Sequence, residues 1–85
     1  MSRRIAIVED EAAIRENYAD VLRKQGYEVQ TYANRKDAMS AFDIRLPNLA
    51  IIDIGLETEI DGGFTLCQAL RGLSDTLPII FLTAR

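Results

Sequence analysis

Asn48-Leu49-Ala50-Ile51-Ile52-Asp53-Ile54-Gly55 decides the fold. Leu49 to Ile52 is a short, uninterrupted apolar run that follows Pro47, which cannot sit inside a helix, and stops at Gly55. A run this short, apolar at consecutive positions and β-branched at two of them, predicts a strand covered by helices on both faces. The residue that follows the run is a carboxylate. Burying an acid unpaired costs too much, so Asp53 is expected either to reach water at the strand's end or to meet a cation.

On the N-terminal side, Ile5-Ala6-Ile7-Val8 is a second run of the same kind, and it also ends in acids: Glu9, Asp10 and Glu11. A helical pattern begins there, with Ile14, Tyr18, Val21 and Leu22 spaced to share one face. Arg15, Glu16, Asp20, Arg23 and Lys24 fill the other face, and Gly26 is the expected C-terminal cap. Tyr27 to Tyr32 alternates in part, as an exposed edge strand does. Asn34 is placed to cap a second helix, with Asp37 in its first turn and Ala38, Ala41 and Phe42 as its apolar stripe. Leu46-Pro47 is expected to end that helix.

On the C-terminal side, Gly55 to Gly63 is a loop rich in acids and glycines. Leu66, Cys67 and Leu70 then recur at helical spacing up to Arg71-Gly72. Pro78 opens a last apolar run, Ile79-Ile80-Phe81-Leu82, read as a fourth buried strand and followed by Thr83, Ala84 and Arg85. Strands alternating with helices at short spacing predict an α/β fold, a parallel sheet with right-handed crossovers.

The 85 residues suit one small domain, and 48% hydrophobic with 27% charged residues excludes the disordered class. A net charge of −3 gives no reason to expect direct nucleic-acid binding by this segment. The single cysteine cannot form an internal disulfide, which fits a reducing, cytoplasmic location. The apolar stretch after Arg3-Arg4 is too short for a signal peptide, and no run approaches membrane-spanning length. Arg3-Arg4 reads as a solvated strand entry.

In a parallel sheet the carboxyl ends of all strands lie on one edge, where ligands bind at the switch in strand order. Glu9-Asp10, Asp53 and Thr83 would meet there. If the first and third strands are neighbours, three carboxylates converge, and a hard divalent cation relieves their repulsion. Ligation by oxygen alone, with no His or Cys nearby, favours Mg²⁺ over zinc. One carboxylate can then act as nucleophile toward a phosphoryl group.

Val8-Glu9-Asp10-Glu11, the Leu49-to-Asp53 strand, Asp61-Gly62 before a helix and Ile79-to-Thr83-Ala84 together resemble the receiver domain of two-component response regulators, the CheY-like family. The resemblance runs through residues 1–85 in order. It implies a flavodoxin-like, doubly wound sheet of order 2-1-3-4, ending before the family's fifth strand and before any output domain. It implies that Asp53 accepts a phosphoryl group from a histidine kinase. It further implies that Asp10, Asp53 and the backbone carbonyl of Gly55 ligate Mg²⁺, with Glu9 acting through water. Thr83 would be the switch hydroxyl, and Ala84 the small residue beside it. Asp53-Ile54-Gly55-Leu56 with Asp61-Gly62-Gly63-Phe64 resembles a branch joined to winged-helix DNA-binding domains, which implies transcription as the output.

The chain departs from the family's pattern where Glu57-Thr58-Glu59-Ile60 follows Leu56, with no proline. The lysine that the family carries after its fifth strand has no counterpart either, since Lys24 and Lys36 stand elsewhere. An uncovered fourth strand is expected to promote self-association. Taken singly, the acids at 9–11 are more often a helix N-terminus, Asp53 a turn former and Cys67 a core residue. The rival reading is a phosphatase of the haloacid-dehalogenase type, which needs a second Asp two residues after the nucleophile; here that position is Gly55.

Overall fold

Ile5 to Val8 and Ala50 to Asp53 are buried throughout, which places these two strands inside the sheet with a helical layer on each face. A computed structural model describes residues 3–53 and 62–82, the side chains of 62–67 and of Leu82 excepted. The elements run β1 (Arg4–Val8), α1 (Ala12–Lys24), β2 (Glu28–Tyr32), α2 (Arg35–Ile44), β3 (Leu49–Asp53), α3 (Gly62–Leu73) and β4 (Ile79–Leu82). All pairings are parallel, in the order β2-β1-β3-β4. The expected α/β architecture and the order 2-1-3-4 are what is found.

Alternation along the strands feeds two cores. Ala6, Val8, Ala50 and Ile52 face α2 and α3, where they meet Ala38, Phe42 and Leu70. Ile5, Ile7, Val29 and Ile51 face α1, where they meet Ala19, with Leu22 packed alongside. Ala6 and Ala50 are direct partners across β1 and β3, and both belong to the first of these cores together with Ala38 of α2. Tyr32 leans its ring edge-on to Phe42, with centroids 5.5 Å apart and planes at 75°.

The helix ends show how local chemistry stops each element. Asn34 Oδ1 accepts from the Asp37 amide at 2.8 Å, which satisfies one of the free N–H groups that open α2. At the end of α1, the Gly26 amide donates to the Arg23 carbonyl at 3.0 Å and the Tyr27 amide to Leu22 at 3.2 Å. That pair of bonds needs a left-handed residue, and Gly26, at φ 95°, supplies it as expected.

Four sequence expectations need correction. The inward stripe of α1 is Ala19 with the half-buried Ile14, Arg15 and Leu22, whereas Tyr18 and Val21 stand 39% and 52% exposed. Close packing over a sheet selects the small residue, so hydrophobic spacing alone misjudged the rotation of the helix. α2 stops at Ile44, ahead of Leu46-Pro47, because Arg45 already turns extended. β4 stands at the outer position expected of it but is not a buried strand: Ile79 and Phe81 are half-buried and Ile80 is 48% exposed. Arg4 is no solvated entry residue either. It belongs to β1, donates from Nη1 to the Leu46 carbonyl at 3.2 Å, and lies 3.7 Å from the Glu28 carboxylate.

Candidate phosphoryl-acceptor site

β1 and β3 are neighbours in register, Val8 opposite Ile52, so each strand's next residue is an acid at the same level: Glu9 and Asp53. Both are almost completely enclosed, at 2% and 1% exposure, and Asp10 beside them is half-buried. One carboxylate oxygen from each of Glu9, Asp10 and Asp53 falls within a set whose members lie no more than 4.8 Å apart. The backbone builds this cluster. The apolar runs place both strands in the interior, and their carboxyl ends reach the sheet edge together.

The turn from β1 to α1 is held by Glu9 itself. Its amide donates to the Tyr32 carbonyl at 3.0 Å, which extends the β1–β2 pairing by one residue. Its Oε1 accepts the Glu11 amide at 3.1 Å. Glu11 is the N-cap of α1 but makes no side-chain capping bond, so the Glu9 carboxylate does part of that work from two residues upstream. The positive end of the α1 dipole therefore faces the acids.

Asp53 Oδ2 is buried and accepts no hydrogen bond from a described residue. An oxygen-only donor set of carboxylates from two strand ends and a turn suits a hard cation that retains several waters, as Mg²⁺ does. The described site offers no nitrogen or sulfur ligand to draw a softer metal. The residues present thus fit the expected cation. Of the residues singled out in the sequence, Glu9, Asp10 and Asp53 are brought together. Gly55, Thr83 and Ala84 lie outside the described residues, and the Cys67 side chain is not described.

Sequence reasoning missed Arg15, which it assigned to the polar face of α1. Its Nη1 donates to the Glu9 carbonyl at 2.8 Å. The available signal was a long basic side chain in the first helical turn, close enough to reach back past the turn to the strand.

Among the described residues no helix is long and apolar enough to cross a membrane. The family model "Response regulator receiver domain" matches residues 5–85. The chain is 40% identical over 82 residues to a probable transcriptional regulator, ycf27, of Cyanophora paradoxa, covering 96% of this chain and 33% of the relative. It is 35% identical over 85 residues to the response regulator MprA of Mycobacterium tuberculosis, covering 100% of this chain and 36% of that one. The chain thus spans about a third of the length of the curated relatives it matches. Its fold superposes on a putative response regulator from Chloroflexus aurantiacus with a TM-score of 0.90 at 38% identity, covering 100% of this chain and 70% of the other. With acids closing two adjacent central strands and a family model matching nearly from end to end, the chain belongs to the response regulator receiver domains, a family of signalling domains.

Proposed function

We propose that Asp53 is the phosphoryl acceptor of a two-component pathway, modified by a histidine kinase, in a protein whose output is transcriptional. The observation that carries this reading is the convergence of Glu9, Asp10 and Asp53 at the C-terminal edge of β1 and β3. Asp53 is the member on the strand itself, paired with Leu82 of β4 and one residue beyond the Val8–Ile52 pair of β1 and β3. Its carboxylate oxygen attacks phosphorus, the bond from phosphorus to the kinase imidazole nitrogen breaks, and an aspartyl phosphate forms. Asp10 and Asp53, with the Gly55 carbonyl, would hold Mg²⁺, and Glu9 would act through water. When bound, the cation neutralises charge that develops on the phosphoryl oxygens. Enclosure of Asp53 keeps bulk water from competing for the phosphoryl group.

Thr83 is the proposed switch hydroxyl, with Ala84 the small neighbour. Asp53 pairs with Leu82, and Thr83 is the next residue in the chain, which supports that assignment. The domain assists its own phosphorylation through these groups rather than turning over a substrate, and it works in the cytoplasm. The haloacid-dehalogenase reading is disfavoured by Gly55 at the position of its second aspartate, and by the family to which the chain belongs.

A further partner reading follows from β4. Its outer edge pairs with no described strand and Ile80 is largely exposed. An open apolar edge is a template for a second chain, so this 85-residue chain, taken as the whole polypeptide, would self-associate through β4.

The test of the acceptor is intact-protein mass spectrometry after exposure to a small acyl-phosphate donor with Mg²⁺. One phosphoryl group is expected in the wild type and none in Asp53→Ala. A full mass shift that persists in Asp53→Ala refutes the assignment.

A further inference from the structure

Arg15 sits at the head of the inward stripe of α1, one turn before Ala19, at the end of the helix nearest the three carboxylates. Its side chain is half-buried and reaches back to the Glu9 carbonyl at 2.8 Å, while its backbone amide donates to the Glu11 carbonyl at 2.9 Å. Glu9 is also tied through its amide to Tyr32 and through its carboxylate to the Glu11 amide. Asp10 lies between these two anchored residues, in a connection outside the sheet ladder and outside the helix. The orientation of its carboxylate therefore depends on how firmly Glu9 and Glu11 are held.

We infer that Arg15 is a positioning residue for the acidic site. Its guanidinium holds the Glu9–Glu11 turn in the shape that brings Asp10 to Asp53, and it thereby sets the cation affinity without touching the cation. This inference rests on the reading of the cluster as a Mg²⁺ site.

Charge and geometry make opposite predictions for the loss of Arg15. A fixed positive charge behind the turn repels a divalent cation, so on Coulomb grounds alone its removal tightens Mg²⁺ binding. A charge-assisted bond that orients the ligand-bearing turn acts the other way. Loss of such outer partners weakens metal binding by roughly 10–100-fold. Geometry outweighs charge here, because the guanidinium is committed to a backbone carbonyl rather than aimed at the carboxylates.

The experiment titrates Mg²⁺ into the full chain and its variants by NMR, and measures amide exchange in the metal-free proteins. Arg15→Met is expected to bind Mg²⁺ about tenfold more weakly. Exchange at the Glu11 amide should be faster in that variant, while exchange at Ala50 to Ile52 stays unchanged. Arg15→Lys, which keeps the charge and one donor, should recover part of the affinity. Binding as tight as or tighter than wild type in Arg15→Met, or unchanged exchange at Glu11, overturns the inference. Failure of the wild type itself to bind Mg²⁺ overturns the reading of the cluster and this inference with it, and that outcome is visible before any substitution. Should Arg15→Met melt below the assay temperature by circular dichroism, Arg15→Gln takes its place under the same criteria.

Discussion

Glu9 and Asp53 stand side by side at the ends of adjacent parallel strands, one residue beyond the Val8–Ile52 pair, and both are enclosed. A sheet puts two acids at the same depth only when their strands pair in this register. A slip of one residue in either strand would turn that strand's acid toward the opposite face.

This closeness has a cost when no cation is bound. Three carboxylates within 4.8 Å repel one another. Asp10→Asn removes one of the charges, so it should raise the metal-free melting temperature, by about 1 kcal/mol or more of stability. It should also abolish most of the stabilisation that Mg²⁺ gives the wild type. Thermal melts with and without Mg²⁺ test both effects, and a variant less stable than wild type without metal would contradict the repulsion argument.

The open edge of β4 leads to a concentration-dependent prediction. Sedimentation velocity over a wide concentration range should show this 85-residue chain associating. Ile80→Lys, which places a charge on the exposed edge strand, should shift it toward monomer. A monomer at every concentration for both proteins would show that β4 does not recruit a second copy.

Two glycines should respond with opposite signs. Gly26 has φ 95° with nothing within 4 Å of an added Cβ, so Gly26→Ala suffers only backbone strain, about 1–2 kcal/mol destabilising. Gly72, inside α3 near its end, has equally open space and no positive φ. Gly72→Ala should stabilise by about 0.5 kcal/mol through a less flexible unfolded chain. Urea titrations of both variants check the pair.

Phe42 anchors the larger core. It is buried among Ala38, Leu70 and the strand side chains, with the Tyr32 ring in T-shaped contact. Phe42→Ala should cost about 3–5 kcal/mol, a large part of the stability of a small domain. Denaturant unfolding should place Tyr32→Leu well below that cost, since only the ring contact and some area are lost.

The strands were legible because β1 and β3 are apolar on both faces, a pattern with few other uses, and because the acids at their ends stand out against it. Helix rotation was not. Tyr18 and Val21 satisfy the spacing of an inward stripe, yet Ala19 takes the inward place, since nearness to the sheet rewards small size more than hydrophobicity. The end of α2 at Ile44 was hidden because the backbone leaves the helix before the proline that forbids it. Arg15 was invisible for a different reason: periodicity sorts residues by face, and says nothing of how far a guanidinium bends back along its own helix. The strand order itself came from the family resemblance, not from the pattern of residues.

The three alanines of the larger core tie together positions that are far apart in the chain. Ala6 and Ala50 are partners across two strands, and Ala38 belongs to the same cluster. An added methylene at any of the three overpacks the face, at about 1–3 kcal/mol. Change in this lineage therefore has to come in matched steps, a larger residue at one of these sites accompanied by a smaller one at Phe42 or Leu70. Among sister sequences the three alanines should drift as a group with those two partners, while the exposed Tyr18 and Val21 drift alone.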